Sequence, residues 1–254
     1  MEYTDAEAFY GYNFLIIFQK FIVKRKEGKM SSNYVNTIYD PKEKPVTAYP
    51  DQLIQYLINR YHITKKAKIL DSGSGRGDFA RAFARRGRKT WAIDGFDYKK
   101  SLEDKVKFVG SFDLETGILP FEDNFFDVVF SKSVLEHIHK PERYLMEIKR
   151  VLKQGGVFIV MVPDWYTQMY VFYDDYSHVQ PYTQKGLEDT LKVFGFSDVH
   201  AEVFYQLPII WRYPCVKIVS KVLQIVGGPV KKISRNKFYR FSRELMILAS
   251  AYKK

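Results

Sequence analysis

Alternating glycines in the stretch DSGSGRGD have the residue types and spacing that suit ligand binding. Gly73, Gly75 and Gly77 follow a short apolar run, and Asp71 lies two residues before the first of them. A glycine has no Cβ, so the backbone of such a loop can approach a ligand closely. If a helix follows, its first amide groups attract an anionic part of the ligand. The loop is therefore the first candidate for a cofactor site.

The residues between and after the glycines distinguish among the classes of ligand that such loops usually bind. A Walker phosphate loop requires Lys followed by Ser or Thr, and a dinucleotide loop requires a third glycine where Asp78 stands. A carboxylate at that position is unfavourable beside a pyrophosphate, because both are anionic. We interpret the RGD tripeptide at 76–78 as a chance match to an adhesion signal, because it lies at a predicted helix N-terminus.

The segments around the loop alternate between strand and helix patterns. Short apolar runs rich in β-branched residues predict strands, and apolar residues at helical spacing predict helices. Strands separated by helices imply right-handed crossovers and a largely parallel sheet, with the glycine loop at the carboxyl end of the first core strand. We predict strands at 67–70, 89–94, 105–110, 125–131, 156–163, 197–204 and 243–252, and helices at 50–61, 77–87, 141–156, 183–196 and 207–228.

The order Asp71-x-Gly73-x-Gly75-x-Gly77 resembles the first motif of the class I S-adenosylmethionine (SAM)-dependent methyltransferases. Asp94 lies twenty-one residues after Gly73, at the end of the next predicted strand. The segment GSFDLETGILPFEDNFFDVVFSKSVLEHI resembles the region of that family from the third to the fourth strand. The resemblance is continuous from about residue 66 to residue 163 and extends to residue 196.

The resemblance implies an α/β fold with a Rossmann-like, doubly wound, mostly parallel seven-stranded sheet, helices on both faces and an antiparallel last strand. An N-terminal helical extension and a C-terminal helical insert are expected in addition. The corresponding domains are an N-terminal helix and covering segment at 1–49 and a methyltransferase domain at 50–254, with acceptor or lid inserts at 165–182 and 206–242.

The cofactor implied by the resemblance is SAM. Asp71 would balance the ammonium of its methionyl part, Asp94 would take the ribose hydroxyls, and Phe96 would pack on the adenine ring. The adenine amino group would be bound either by the Asp113 carboxylate or by the Phe112 backbone, and the resemblance does not decide between the two. The full set of expected cofactor contacts is Asp71, Gly73, Ser74, Gly75, Gly77, Asp94, Gly95, Phe96, Phe112, Asp113, Leu114 and Ser131.

The residues after the fourth predicted strand bear on the methyl acceptor. SKSV stands where amino-group methyltransferases of DNA carry Asn or Asp followed by two prolines, which argues against that chemistry. We expect no metal ion, because no spacing typical of metal ligands is evident. A hydroxyl acceptor requires a base, and His178, in a D-x-x-H-x-x-P-Y-T segment that resembles sugar and small-molecule methyltransferases, is the first candidate. His137 is the second, and Asp174 or Asp175 could orient His178.

The resemblance implies transfer of a methyl group to a hydroxyl or phosphate oxygen of a small, sugar, glycan or phosphorylated acceptor. Because the insert and tail resemble those of enzymes from surface-polysaccharide pathways, surface-polysaccharide or secondary-metabolite biosynthesis is the expected context. The alternatives are an RNA or protein methyltransferase that docks through its basic tail, and a non-catalytic partner subunit with this fold. The residues expected to contact the acceptor are Lys132, Trp165, Tyr166, Tyr176 and Tyr182.

The charge of the chain is uneven. The formal net charge is +11, and residues 203–243 carry nine Lys and Arg but no Asp or Glu. A second basic run covers residues 24–29. Such segments favour an anionic partner or a membrane surface, and nucleic acid is the less favoured partner. The single cysteine indicates a reducing compartment, so we expect a cytoplasmic protein, with peripheral contact at the membrane's inner face as an option.

Overall fold

The computed structural model describes residues 47–96, 105–231 and 234–254. Residues Thr47–Lys254 belong to one compact unit. The predicted N-terminal helix and the basic run at 24–29 lie outside the described residues. The proposed domain division at residues 49 and 50 stays a prediction.

A seven-stranded, mostly parallel sheet forms the centre of the structure, which confirms the predicted fold class. Its strand order is β3-β2-β1-β4-β5-β7-β6, and β7 runs antiparallel to both of its neighbours. The chain order reverses beside β1, so the end of β1 faces the crevice where ligands of open α/β sheets bind. The strands are β1 Lys68–Ser72, β2 Lys89–Asp94, β3 Val106–Ser111, β4 Phe126–Lys132, β5 Leu152–Pro163, β6 Ser197–Phe204 and β7 Met246–Tyr252.

Eight α-helices and two short 3₁₀ turns surround the sheet in the part of the chain that the structure describes. The 3₁₀ turns are Leu135–His137, directly after β4, and Phe172–Asp174. The α-helices are α1 Tyr49–Arg60, α2 Asp78–Arg85, α3 Pro141–Val151, α4 Trp165–Gln168, α5 Gln184–Val193, α6 Pro208–Arg212, α7 Val216–Val226 and α8 Lys237–Arg243.

Apolar side chains are buried on both faces of the sheet. Neighbouring residues of one strand point to opposite faces, so Leu70 packs with α3 and α5, whereas Ile69 packs with α1 and α2. This two-sided burial explains why the central strands are continuous apolar runs rather than alternating ones.

Two of the predicted helices were wrong in extent. Helix α3 ends at Val151 rather than 156, because residues 152–156 join the sheet: Leu152 pairs with Phe126, and the amide of Gly155 donates to the carbonyl of Lys253 at 2.7 Å. The segment 207–228 forms two helices, α6 and α7, separated at Tyr213–Cys215. Pro214 lies in this break and has no amide hydrogen to continue a helix.

The last predicted strand was also too long. It begins at Met246, and Arg243, predicted as its first residue, ends helix α8. Helix α8 belongs to the predicted C-terminal helical insert, although its bounds were not predicted. Among the described helices, none combines the length and the apolarity that crossing a bilayer requires.

Candidate active site

The glycine loop connects β1 to α2 in a backbone conformation that favours glycine. Gly73, Gly75 and Gly77 have φ values of +77°, +51° and +80°. The amides of Gly73 and Ser74 donate to the carbonyl of Ile93, near the end of β2, at 2.9 and 3.0 Å. The loop is therefore held against the end of the neighbouring strand, with its third glycine capping α2.

Gly73 also lies against the segment that follows β4. A Cβ at this position would stand 2.2 Å from Cγ2 of Val134. The first glycine is thus required both by its φ and by the space available, and the loop and the 3₁₀ turn after β4 are in contact at this point.

Asp71 is the buried carboxylate beneath the loop. Its side chain is 1% exposed, and its Oδ2 has no hydrogen-bond partner among the described residues. Burial raises the pKa of Asp71 to about 8, the negative Asp94 raises it further, and the amide of Ala80 lowers it. A bound ammonium would compensate this buried charge, so the residues present fit the methionyl end of SAM.

Asp94 ends β2 next to the same loop. Its Oδ2 accepts from the amide of Gly75 at 2.7 Å, and its Oδ1 accepts from the amide of Phe96 at 3.1 Å. Burial raises the pKa of Asp94, and these amides lower it. The two hydrogen bonds fix the carboxylate at the carboxyl edge of the sheet, where the predicted ribose contact requires it.

The residues expected to contact adenine differ in their burial and in their hydrogen bonds. Phe96 is half-buried, and the amide of Phe112 donates to the carbonyl of Asp94 at 2.8 Å. Asp113 is exposed, and its carboxylate accepts from the Thr116 hydroxyl at 2.6 Å and from the next two backbone amides of the turn. Because this turn already uses the Asp113 side chain, the geometry favours the Phe112–Leu114 backbone as the adenine contact, which stays a proposal.

Tyr144, on α3, connects the two central strand ends. Its hydroxyl is hydrogen-bonded to the hydroxyls of Ser72 at 3.1 Å and of the predicted contact Ser131 at 2.9 Å. Burial raises the pKa of Tyr144 to about 12, and the carboxylates of Asp71 and Glu136 raise it as well. This role was not predictable from local sequence, because Tyr144 lies in the apolar stripe of its helix.

The insert after β5 closes back on the segment after β4. An isolated bridge joins Asp164 and Tyr182 at its two ends, and the amide of Trp165 donates to the carbonyl of Tyr182 at 3.0 Å. The amides of Val179 and Gln180 donate to the carbonyl of Glu136 at 2.8 and 3.1 Å. These bonds bring the end of the insert beside the 3₁₀ turn Leu135–His137.

The two predicted base candidates lie together at this junction. The ring centroids of His137 and His178 are 4.8 Å apart. Nδ1 of His178 lies 2.6 Å from the carbonyl of Phe172, and Nδ1 of His137 lies 3.2 Å from the carbonyl of Ser177. A carbonyl only accepts, so both Nδ1 atoms carry hydrogen, and the lone pair of each neutral ring is on Nε2.

Asp175, rather than Asp174, is the carboxylate near the histidines. Its Oδ1 accepts from the Ser177 hydroxyl at 2.6 Å, and its Oδ2 lies 4.0 Å from Nε2 of His178. Its pKa is lowered by the Ser177 hydrogen bonds and the two histidines, although burial opposes this. Asp174 is exposed, and Nδ1 of His178 donates to the carbonyl of Phe172. The predicted orientation of His178 by a carboxylate therefore stays a prediction, with Asp175 as its candidate.

Glu136 is the functional candidate that the sequence analysis missed. Its side chain is 1% exposed, and neither carboxylate oxygen has a partner with hydrogen-bond geometry among the described residues. Burial raises the pKa of Glu136 to about 8, although the Lys132 ammonium and the Ser133 hydroxyl lower it. Glu136, His137 and His178 each offer one ligand atom within 4.8 Å of the others.

The residues predicted to contact the acceptor fall into two groups. Tyr182 is 4% exposed with no partner for its hydroxyl among the described residues, and Trp165 is half-buried against Phe172 with ring centroids 5.6 Å apart. Lys132 is half-buried at the end of β4. Tyr166 and Tyr176 are 74% and 77% exposed, so the structure does not bring them into the buried cluster.

Comparisons with known proteins agree with this geometry. A family model described as a methyltransferase domain matches residues 70–160. The chain is 30% identical over 185 residues to Uncharacterized protein MJ0638 of Methanocaldococcus jannaschii, covering 72% of this chain and 78% of that protein.

A second relative and a solved structure extend the comparison. The chain is 32% identical over 121 residues to the ubiquinone/menaquinone biosynthesis C-methyltransferase UbiE of Bordetella avium, over 42% of this chain and 44% of that one, so it spans less than half of that relative's length. The structure of a SAM-dependent methyltransferase from Archaeoglobus fulgidus superposes with a TM-score of 0.58 at 18% identity, over 85% of this chain and 98% of that one. At this identity the likeness shows the fold.

Proposed function

Because the chain belongs to the class I SAM-dependent methyltransferases, we propose that it transfers the methyl group of SAM to a hydroxyl or phosphate oxygen of a small, sugar, glycan or phosphorylated acceptor. Methyl transfer with SAM as cofactor is the family's activity. The oxygen acceptor, its class and the residues that contact it are the proposal.

The proposed cofactor position follows the carboxyl edge of the sheet. Asp71 meets the ammonium, the amides of the glycine loop and α2 meet the carboxylate, and Asp94 meets the ribose hydroxyls. When bound, SAM supplies a methyl carbon on a positively charged sulfur. The protein residues have to exclude water, align the acceptor oxygen and remove its proton.

One observation carries the choice of an oxygen acceptor: the pairing of His137 with His178 beside the end of β4. Both rings have Nδ1 bonded to a backbone carbonyl, which leaves the basic lone pair on Nε2. A hydroxyl must lose a proton during transfer, and an oriented imidazole is suited to accept it. His178 is the proposed base and His137 the second candidate.

Replacing His178 with alanine should lower turnover by about 10²- to 10⁴-fold, the usual contribution of a general base, without changing SAM affinity. The measurement is S-adenosylhomocysteine formation with an acceptor identified by screening hydroxyl compounds against labelled SAM, with products read by mass. His200→Ala is the control, because this histidine is 66% exposed on β6. An unaltered rate in His178→Ala would transfer the base role to His137 or to none.

The UbiE relatives favour one different acceptor. UbiE is a C-methyltransferase, so a carbon atom is the second candidate acceptor. The carbon-13 shift of the transferred methyl group distinguishes the two, because an oxygen-bound methyl resonates far downfield of a carbon-bound one. A product methylated on carbon would refute the oxygen assignment and leave SAM-dependent transfer intact.

The two predicted alternatives have simple tests as well. A methyltransferase that docks on RNA through residues 203–243 should bind RNA with a steep dependence on salt. A non-catalytic partner subunit should show no turnover with any acceptor. Absence of a thermal shift with either SAM or S-adenosylhomocysteine would end the catalytic proposal. A place in surface-polysaccharide or secondary-metabolite biosynthesis stays part of the proposal.

Helix α7 supports the predicted peripheral membrane contact. It exposes five apolar residues, which we name the α7 face: Ile218, Val219, Val222, Ile225 and Val226, with exposures of 66%, 49%, 50%, 81% and 79%. Lys217 and Lys221 lie on the same helix. An exposed apolar stripe with adjacent cations suits the interface of an anionic bilayer, in keeping with a cytoplasmic protein at the membrane's inner face.

The double variant Ile218→Glu and Ile225→Glu should reduce binding to phosphatidylglycerol-containing vesicles by about tenfold or more, since it removes apolar burial and adds repulsion. Co-sedimentation measures this. Val193→Glu is the control, because Val193 is an equally exposed apolar residue, at 77%, on α5. Equal vesicle binding by wild type, variant and control would refute the membrane contact.

A further inference from the structure

The carboxyl group of Glu136 lies in an environment that suits the binding of a cation. It is 1% exposed and both of its oxygens are without hydrogen-bond partners among the described residues. A buried carboxylate of this kind is strongly unfavourable unless it is paired, protonated or bound to a metal. The Lys132 ammonium acts on Glu136 through space and lowers its pKa.

The two histidines beside Glu136 are arranged as metal ligands usually are. Metal-binding imidazoles commonly donate one ring N–H to a carbonyl or carboxylate, which fixes the ring and leaves the other nitrogen for the metal. His178 donates from Nδ1 to the carbonyl of Phe172 at 2.6 Å. His137 has its Nδ1 3.0 Å from the Ser177 hydroxyl, which in turn bonds Asp175 at 2.6 Å.

We propose that Glu136, His137 and His178 bind one divalent transition-metal cation of the Zn²⁺ type. One ligand atom from each residue lies within 4.8 Å of the others. Two imidazoles and one carboxylate form the ligand set of open zinc sites, in which a further position is left for water or substrate. Hard cations such as Mg²⁺ prefer oxygen ligands and fit this set less well.

The residues can close on a cation with small side-chain movements. Metal–ligand bonds of about 2.1 Å in a tetrahedral site place ligand atoms about 3.4 Å apart, so the longest separation in the cluster has to shorten by up to about 1.4 Å. The frame that holds it is firm, because the carbonyl of Glu136 accepts two amide hydrogen bonds from the insert that carries His178.

Resting on the proposed function, the site also narrows the acceptor class. A cation lowers the pKa of an oxygen acid that it coordinates, so the acceptor hydroxyl would lose its proton to water. The oxygen would then form a bond to the methyl carbon as the carbon–sulfur bond breaks, with the electron pair left on a neutral sulfur. A cation with open positions favours acceptors with two adjacent oxygens, such as a vicinal diol. His178 would then position the acceptor through the cation rather than take the proton itself.

Metal binding can be measured without any acceptor. Tag-free protein, stripped with a chelator, is titrated calorimetrically with Zn²⁺, and Co²⁺ is used to record the absorption of a four- or five-coordinate site. We expect about one equivalent of Zn²⁺ per chain. Glu136→Gln and His178→Ala should each weaken binding by at least about 100-fold, beyond the loss that an outer-shell partner causes.

A matched pair of variants controls for adventitious binding. Glu115 and His139 form an exposed pair with Oε2 and Nδ1 3.7 Å apart, so Glu115→Gln and His139→Ala should leave Zn²⁺ affinity unchanged. Thermal shifts with SAM show that each variant is folded. Failure to bind Zn²⁺, or binding that Glu136→Gln does not weaken, would overturn the metal site.

The metal inference and the oxygen-transfer proposal fail in different ways. Methyl transfer to oxygen that survives chelation at full rate refutes the metal role and preserves the proposed function. Zn²⁺ binding that depends on the cluster, in a protein that methylates only carbon, supports the site and refutes the oxygen acceptor.

Discussion

Replacing Gly73 with alanine should abolish SAM binding and lower the free energy of unfolding by about 2–4 kcal/mol. An L-residue at a φ of +77° costs about 1–2 kcal/mol by itself. The added Cβ would also stand 2.2 Å from Cγ2 of Val134. Cγ2 is bonded directly to the Val134 Cβ, so it cannot swing away as the end of a long side chain would. Either the loop or the turn after β4 has to move, and both line the expected cofactor site.

Gly87→Ala separates the effect of the positive φ from that of the contact with Val134. Gly87 has a φ of +80°, and a Cβ there would meet nothing within 4 Å. This variant should lose about 1 kcal/mol of stability and keep its SAM affinity. Chemical denaturation and calorimetric titration with SAM measure both quantities. The double variant Gly73→Ala and Val134→Ala should recover part of the loss. If Gly73→Ala and Gly87→Ala behave alike, the contact with Val134 is not what restricts the loop.

Asp71→Asn should weaken SAM binding by about 100-fold, because charge-assisted hydrogen bonds in buried sites contribute about 1.5–3 kcal/mol. The asparagine keeps the size of the side chain but cannot balance an ammonium. Calorimetric titration with SAM tests this at neutral pH. Asp78→Asn is the control, because Asp78 lies at the start of the same loop's helix, where Arg76 and Arg81 pair with it. Equal SAM affinity for wild type and Asp71→Asn would remove Asp71 from the cofactor site.

The same substitution should have the opposite effect on the stability of the cofactor-free protein. Burial raises the pKa of Asp71 from its ordinary value of 3.8 to about 8. The folded state therefore favours the protonated form, and stability from this group falls as the pH rises from about 4 through about 8. Asparagine does not ionise, so Asp71→Asn should be more stable than wild type by up to about 6 kcal/mol at about pH 9, with the difference vanishing near pH 4. A constant difference across this range would contradict the raised pKa.

The sequence predicted those parts of the fold that local patterns determine. Strands 89–94 and 197–204 were predicted at their observed bounds. The glycine loop was recognised because its spacing is local. The end of α3 was wrong because residues 152–156 are held by pairing with a chain end about a hundred residues away, which no window of sequence contains.

Part of the candidate site was also predictable from the sequence, and part of it depends on the tertiary structure. His137 and His178 were both named as base candidates, but nothing in the sequence placed their rings 4.8 Å apart. Glu136 was missed because a glutamate between a leucine and a histidine looks like surface. Its importance comes from burial beneath the insert, which is a property of the tertiary structure. Asp113 was assigned from family position, whereas its carboxylate caps the turn that follows it.

The bridge between Asp164 and Tyr182 means that the insert can be exchanged for another segment. Its two ends meet, so the segment between them can be lengthened, shortened or exchanged with a modest change in loop-closure entropy and without displacing β5 or α5. A chimera with another insert at 165–181 would keep the cofactor frame, together with Glu136 and His137. The chimera would lose His178. A catalytically active chimera therefore requires a polar side chain from the new insert beside Glu136 and His137.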